Sequence, residues 1–310
     1  MIYNTFMDMK KRYNYVREYY KEKFGERTLK ICVDGGFTCP NRDGTKGRGG
    51  CIFCSEQGSG ELIMNKGNIT KQVKQYLTTY RAERAEKFIV YFQNFTNTYD
   101  TVENLKQKYD AALIDERIVG LEIGTRPDCI TEDIAKLLST YAEKYYVCVE
   151  LGLQTSNDRI GELINRKYTT RDFQNAVSLL RKYHIEVVAH MMVGLPTETE
   201  EDIINTVQFL NKQDIQGIKI HSTYIVKNTK LAQMYEQKTY QALELDDYIE
   251  TLLDIITHLR KDIVIYRISG DAPKDILIAP YWNEHKMWIL HTFEKRMEGR
   301  DLWQGKEYKA

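Results

Sequence analysis

Between residues 29 and 222, short apolar runs and helix-patterned segments alternate as six β-then-α units. Strands are expected at Leu29–Val33, Phe88–Phe92, Arg117–Ile123, Tyr146–Leu151, Ile185–Val193 and Gly217–His221. Helices are expected from Thr70 to about Arg84, over 101–109, over 132–143 behind Thr131, from Thr169 to about Tyr183, and over Glu200–Leu210. Strands alternating with helices of this length build a parallel sheet with right-handed crossovers. Six units fall short of a closed eight-fold ring, so the α/β fold expected is a partial, three-quarter TIM-like barrel. Function in such folds sits at the C-terminal ends of the strands. The glycine-rich and polar stretches Gln93–Thr98, Gly124–Asp128, Gly152–Gln154 and Gly194–Glu198 all fall there.

Two flanking regions complete the expected organisation. Residues 1–28 carry Phe6, Met9, Tyr13, Val16, Tyr20 and Phe24 at helical spacing, so an N-terminal amphipathic helix is expected over 5–24. Its other face is basic (Lys10, Lys11, Arg12, Arg17, Lys21, Lys23), either a solvated surface or an RNA contact. Residues 223–310 read as a C-terminal α+β extension packed on the barrel core of 29–222. It has a helix over Asp246–Arg260, a strand over Asp262–Ile268 and an aromatic-rich helix over Tyr281–Met297.

Lys plus Arg equals Asp plus Glu at 44 each, so net charge exerts no long-range pull toward nucleic acid or membrane, although local basic patches remain open. The sequence has no apolar run long enough to span a bilayer and no apolar signal core, so a cytoplasmic protein is expected. Six cysteines in 310 residues do not make a disulfide scaffold, and a reducing compartment suits thiolate ligation.

The loop expected over 34–60 holds three of those cysteines, Cys39, Cys51 and Cys54, spaced C-x11-C-x2-C among glycines. A segment so poor in apolar residues cannot bury a core of its own, so a bound group is expected to order it. Three converging thiolates read as a metal site. A structural zinc site wants four closed ligands, commonly from two close pairs, and only one close pair is present. An iron–sulfur cluster is also held by thiolates; three leave one iron open to a substrate or cofactor. Cluster, zinc and unligated loop cysteines all remain open on spacing alone.

The motifs together resemble the radical S-adenosylmethionine (SAM) superfamily. The long first gap is similar to that of the Elp3-like group, and in particular to its small family of YhcC and YtqA (MnmL) type. The resemblance rests on Gly36–Gly44, Tyr91–Tyr99, Gly124–Asp128, Glu150–Thr155 and Ser269–Pro273, and runs from about residue 10 to Gly305. It implies a partial barrel of radical SAM type. It further implies that Cys39, Cys51 and Cys54 hold a [4Fe-4S] cluster whose fourth iron chelates SAM. One electron then splits the sulfonium to give a 5′-deoxyadenosyl radical that abstracts a substrate hydrogen.

The resemblance also implies SAM contacts. Gln154 matches the ribose-binding glutamine, and Arg166 lies at the offset of an arginine that pairs with the SAM carboxylate. His190 takes the place of a ribose-binding aspartate. Met192 and Gly194 belong to the adenine-contacting turn, where glycine permits close backbone approach. Glu150 shares one strand face with Gln154, as a cofactor contact or a salt-bridged core acid. Gln93-Asn94-Phe95 replaces the usual Gly-Gly-Glu, making Gln93 a candidate acceptor for the SAM ammonium. Gly124 stands where Elp3 relatives carry glutamate. Cys32 and Cys148 read as structural thiols within apolar strands. Cys129, after the Arg-Pro-Asp turn, is a candidate reactive thiol.

The implied substrate is the anticodon wobble uridine of tRNA, with 5-carboxymethylaminomethyl(-2-thio)uridine converted to 5-aminomethyl(-2-thio)uridine. Expected partners are the tRNA anticodon stem–loop and a flavodoxin- or ferredoxin-type electron donor, with no membrane. Tyr91, Phe92, Phe95 and Tyr99 are candidates for base stacking, and Lys295, Arg296, Arg300, Lys306 and Lys309 for phosphate contacts. Two alternatives are a small-molecule substrate, such as a porphyrin or amino-acid derivative, and a non-catalytic iron–sulfur module.

Overall fold

The computed structural model describes residues 12–58 and 68–309. Residues 5–11 of the expected first helix and the end of the cysteine loop therefore lie outside the described residues. In chain order the elements are α1 (Val16–Phe24), β1 (Thr28–Asp34), α2 (Ile69–Leu77), β2 (Lys87–Gln93), α3 (Val102–Asp110), β3 (Ile118–Thr125), α4 (Glu132–Ala142), β4 (Tyr146–Gln154) and α5 (Asp158–Leu163). They continue with α6 (Thr170–Lys182), β5 (Glu186–Val193), α7 (Glu200–Asn211), β6 (Gly217–Ser222), β7 (Ile225–Val226), α8 (Lys230–Glu236), α9 (Leu245–His258), β8 (Val264–Arg267), β9 (Leu277–Ala279) and α10 (Lys286–Gly299).

Seven strands form one curled parallel sheet in the order β1-β2-β3-β4-β5-β6-β8, a partial barrel of the expected class. The seventh comes from the stretch read as the extension's own strand: β8 pairs in parallel with β6, Gly217 beside Val264. Strand β7 pairs with β9 as a separate antiparallel ribbon.

Side-chain caps set the helix starts. Thr131 Oγ1 accepts from Ile134 N, and Thr169/Asp172 and Thr199/Asp202 form reciprocal capping boxes at α6 and α7. The expected helix over 70–84 stops at Leu77, with a 3₁₀ turn over Ala82–Arg84. The expected helix over Tyr281–Met297 is broken at His285 into a 3₁₀ turn and α10. Among the described residues the first helix starts at Val16, not earlier, and Tyr15 instead bridges to Ile265 on β8.

Alternation along each strand sorts the side chains into two sets. Outward residues such as Ile31, Val33, Phe92, Leu121, Val149 and Ile220 bury themselves against the helices in the main core. Inward residues nearest the N-terminal end, Ile89, Tyr146, Cys148, Val188, Val264 and Tyr266, pack around Tyr20 of α1. Helix α1 thus forms the floor of the barrel. Above it the inward positions turn polar: Lys30 and Cys32 on β1, Tyr91 on β2, Glu122 on β3, Glu150 on β4, His190 on β5, and Lys219 and His221 on β6. Cys32 is exposed into this lumen, which corrects its reading as a packed structural thiol; Cys148 is buried as expected.

Candidate cluster and cofactor site

The cysteine loop leaves the C-terminal end of β1 and is pinned by the chain itself. Asn41 Nδ2 donates to Asn165 O at 2.6 Å, Asn165 Nδ2 donates to Gly50 O at 2.7 Å, and Ile52 N donates to Ile164 O at 3.1 Å. Ile52 and Phe53 pack into a second core with Ile160, Ile164, Leu195 and Leu231. The expectation that only a bound group orders the loop is therefore corrected: the turn after β4 and α5 already does so. Arg42 donates to Cys54 O at 3.1 Å and to Ser55 O, with its guanidinium 5.4 Å from the Phe95 ring centroid. Gly50 has φ +77°, and a Cβ there would meet Arg42 at 2.8 Å.

The loop turns its thiols toward one another. Cys51 hydrogen-bonds with Cys54, and Cys54, burial and the nearby Cys39 together push the Cys51 thiol up. Asn41 Nδ2 lies 3.8 Å from Cys51 Sγ. Arg126 acts in the opposite direction on Cys51 and is also close to Cys39. Asp128 grips Arg126 through two bonds of 2.9 Å, and Lys46 reaches Asp128 at 2.6 Å. A buried cation beside three thiols suits a group that carries negative charge when bound. Among the described residues no group of three His, Cys, Asp or Glu side chains is close enough to share a single metal ion. Three thiols on one loop, with the buried Arg126 beside Cys51 and Cys39, fit an iron–sulfur cluster with one iron left open.

Around this loop the strand ends form a rim. Gln93 ends β2 half-buried beside Asp34 of β1. The next two residues adopt left-handed backbone, Asn94 at φ +77° and Phe95 at +52°, and Asn94 Nδ2 holds Asp34 at 3.0 Å. Gln154 stands at a bulge between β4 and β5 with φ +62°. Its Oε1 accepts from Tyr168 Oη at 2.7 Å, leaving the amide N–H groups to donate. Gln154 also lies over Gly152, where a Cβ would meet its Nε2 at 2.7 Å.

Arg166 is placed otherwise than a free carboxylate ligand would be. It is 0% exposed and donates to Leu153 O, Thr155 O, Tyr168 O and Asp158 at 2.5–2.9 Å. These bonds lock the turn after β4. The arginine beside the thiols is Arg126, within the Gly-Thr-Arg-Pro-Asp stretch already notable in the sequence.

Glu150 lies deep in the lumen, fully buried. It meets Lys219, His190 Nε2 at 2.8 Å and Lys30 at 3.4 Å. Burial pushes its carboxyl up, but Lys219 and Lys30 outweigh burial and hold it well below the usual range. Of the two readings given to Glu150, the contacts are those of the salt-bridged core acid. Glu122 goes the other way: burial and the adjacent Glu150 raise it, against the pull of Lys30. Burial brings Lys219 down to about 8 and lowers both His190 and His221. Lysines in strands usually signal a solvated face; only closure of the sheet turns Lys30 and Lys219 inward.

Met192 sits half-buried against the second core beside the cysteine loop. Gly194 turns at φ +85°, and its N–H and that of Leu195 donate to Glu198 Oε2 at 2.8 and 3.2 Å. Burial pushes Glu198 up to about 8, although the two amides pull it down, and its other oxygen is buried without a partner among the described residues. Between the ordinary value of 4.5 and about 8, the folded chain keeps a proton that the unfolded chain releases. Stability is therefore expected to fall as pH rises through that window, by on the order of 1.4 kcal/mol per pH unit at the steepest. Glu198→Gln keeps the acceptor and has no proton to lose. The gap between its denaturation midpoint and the parent's should widen in the variant's favour from about pH 5 to about pH 8. Parallel curves for the two proteins would refute this.

Cys129 is buried, with its thiol pushed up to about 12, so the reactive role considered for it is not supported. Tyr91 and Phe92 are buried in the barrel and its core and offer no surface for stacking. Arg296 and Arg300 pair with Glu250, which occupies two of the cations expected to hold phosphate.

Residues 41–210 match the Radical SAM superfamily and residues 215–299 match the Radical_SAM C-terminal domain. The chain is 37% identical over 303 residues to the protein YtqA of Bacillus subtilis (strain 168), covering 97% of this chain and 94% of that one. It is 35% identical over 265 residues to protein YhcC of Escherichia coli (strain K12), covering 85% of each. Among solved structures, the archaeal Methanocaldococcus infernus Elp3 superposes with a TM-score of 0.65 at 17% identity, over 89% of this chain and 64% of that one.

Proposed function

The chain belongs to the radical SAM superfamily, and on that basis we propose that it modifies the anticodon wobble uridine of tRNA, converting a 5-carboxymethylaminomethyl group to 5-aminomethyl. Its cofactors are a [4Fe-4S] cluster and SAM, which when bound supply a carbon-centred radical able to remove a substrate hydrogen. In this reading Cys39, Cys51 and Cys54 hold the cluster and Arg126 balances its charge. Gln154, His190, Met192, Gly194 and Gln93 line the cofactor pocket at the strand ends. The lumen beneath receives the substrate and excludes water from it.

The observation that carries the RNA reading is an aromatic platform tied to the barrel mouth. Tyr281 and Trp288 are 70% and 51% exposed, with His285 between them at ring-centroid distances of 5.0 and 6.2 Å. Lys286, in the same segment, pairs with Asp271, which holds Arg267 at the end of β8 by a 2.6 Å bond. Exposed rings beside a lysine suit unstacked bases of an RNA loop, each stack being worth about 1–3 kcal/mol. This platform replaces Tyr91 and Phe92 as the stacking surface.

Nucleoside mass spectrometry of tRNA from cells lacking the protein tests the proposal. 5-Carboxymethylaminomethyluridine should accumulate and 5-aminomethyluridine and its derivatives should fall. An unchanged nucleoside profile would overturn the assignment.

A further inference from the structure

We infer that Arg267, supported by Lys219 and His221, is the receptor for a carboxylate carried by the substrate into the lumen. This rests on the tRNA reading for the identity of the substrate, but on the lumen's own charges for the chemistry.

Four cations meet here: Lys30, Lys219, Arg267 and Lys286. Three carboxylates answer them, Glu122, Glu150 and Asp271. Lys30 and Lys219 are both spent on the two glutamates. Arg267 shares its one carboxylate, Asp271, with Lys286. A guanidinium has five N–H donors in a planar fork, and Asp271 accepts from one nitrogen only. The side chain is 31% exposed, and among the described residues Asp271 is the one hydrogen-bond acceptor it reaches.

Arg267 acts on the lumen and not only on the rim. It pairs with Lys219 across the β6–β8 register; burial is the main cause that lowers Lys219, His190 and His221 and raises the Cys32 thiol, and Arg267 adds to the first three shifts and opposes the last. His221 adds a buried Nε2 with no partner among the described residues, its ring 5.0 Å from that of His190. A carboxylate entering beside these groups meets the free side of a guanidinium fork and an imidazole nitrogen. Such pairing is bidentate and charge-assisted. A product that has lost the carboxylate forfeits this pairing, so the contact that holds substrate does not hold product.

The test uses anaerobic holoenzyme and three anticodon stem–loops identical except at the wobble base: 5-carboxymethylaminomethyluridine, 5-aminomethyluridine or uridine. The parent should bind the first about tenfold or more tighter than the others, the scale of one charge-assisted pair. Arg267→Gln should bring that preference, read as the ratio of affinities within the variant, to within about twofold, and Arg267→Lys should restore part of it. A second arm needs no RNA. Cys32 opens into the lumen, and peptide mass spectrometry resolves its alkylation by iodoacetate, which carries a carboxylate, from that by neutral iodoacetamide. The iodoacetate-to-iodoacetamide rate ratio at Cys32 should fall about fivefold or more in Arg267→Gln. An unchanged labelling ratio, or a full RNA preference retained in Arg267→Gln, overturns the receptor. A parent that ignores the wobble group while its labelling ratio still depends on Arg267 keeps the receptor and overturns the tRNA substrate.

Discussion

Converting any one of Cys39, Cys51 or Cys54 to alanine is expected to abolish reductive SAM cleavage, a loss of at least about a thousandfold. Two thiolates cannot hold a cubane that needs three protein corners, and the fourth iron must stay free for SAM. The fold should survive the change. The loop is fixed by the Asn41–Asn165 and Ile52–Ile164 bonds and by Ile52 and Phe53 in the second core, none of which involves a thiol as donor. Iron and sulfide content, the brown chromophore and 5′-deoxyadenosine formation should all fall together, with the thermal midpoint of the apoprotein within a few degrees of the parent. A variant that keeps about four irons per chain would remove that cysteine from the ligand set.

Glu150→Leu is expected to destabilise the protein by about 3–5 kcal/mol, the cost of stranding buried charge. Lys219 is 4% exposed and has Glu150 as its ion-pair partner, and His190 loses its hydrogen bond as well. Leucine fills the space but offers no acceptor. Adding Lys219→Met should recover a large part of the loss, since the lysine is then no longer left alone. The coupling between the two positions is read from a double-mutant cycle in urea. If Glu150→Leu alone cost less than about 1 kcal/mol, the carboxylate would not be ionised as described.

The barrel was legible because its outward residues keep strict alternation and its helices start on threonines. Thr131, Thr169 and Thr199 each accept the bond expected of an N-cap. The strand ends were legible too, since glycine and amide residues cluster there after apolar runs. The lumen was not. Lys30 and Lys219 sit in apolar strands, and a lysine's reach allows either water or a buried carboxylate as its partner. Which of these it finds depends on strands far apart in the chain: Glu150 is 120 residues from Lys30 and 69 from Lys219. Arg166 misled for a related reason. Its offset from Gln154 matched a ligand, but the glycine at 161 lets the guanidinium fold beneath its own turn, where a Cβ would meet it at 2.7 Å. Strand β8 joins the barrel rather than the extension, and no sequence pattern distinguishes a strand that pairs with β6 from one that pairs with a neighbour of its own.

Tyr20 stops the lower end of the barrel, and that has a bearing on turnover. Small molecules and the reacting part of a polymer reach the lumen from the opposite end, beside the loop that bears Cys39 and Cys51, or along the unclosed side between β1 and β8. A ligand that enters by the end covers the one beneath it. For that route steady-state inhibition patterns should show a compulsory order.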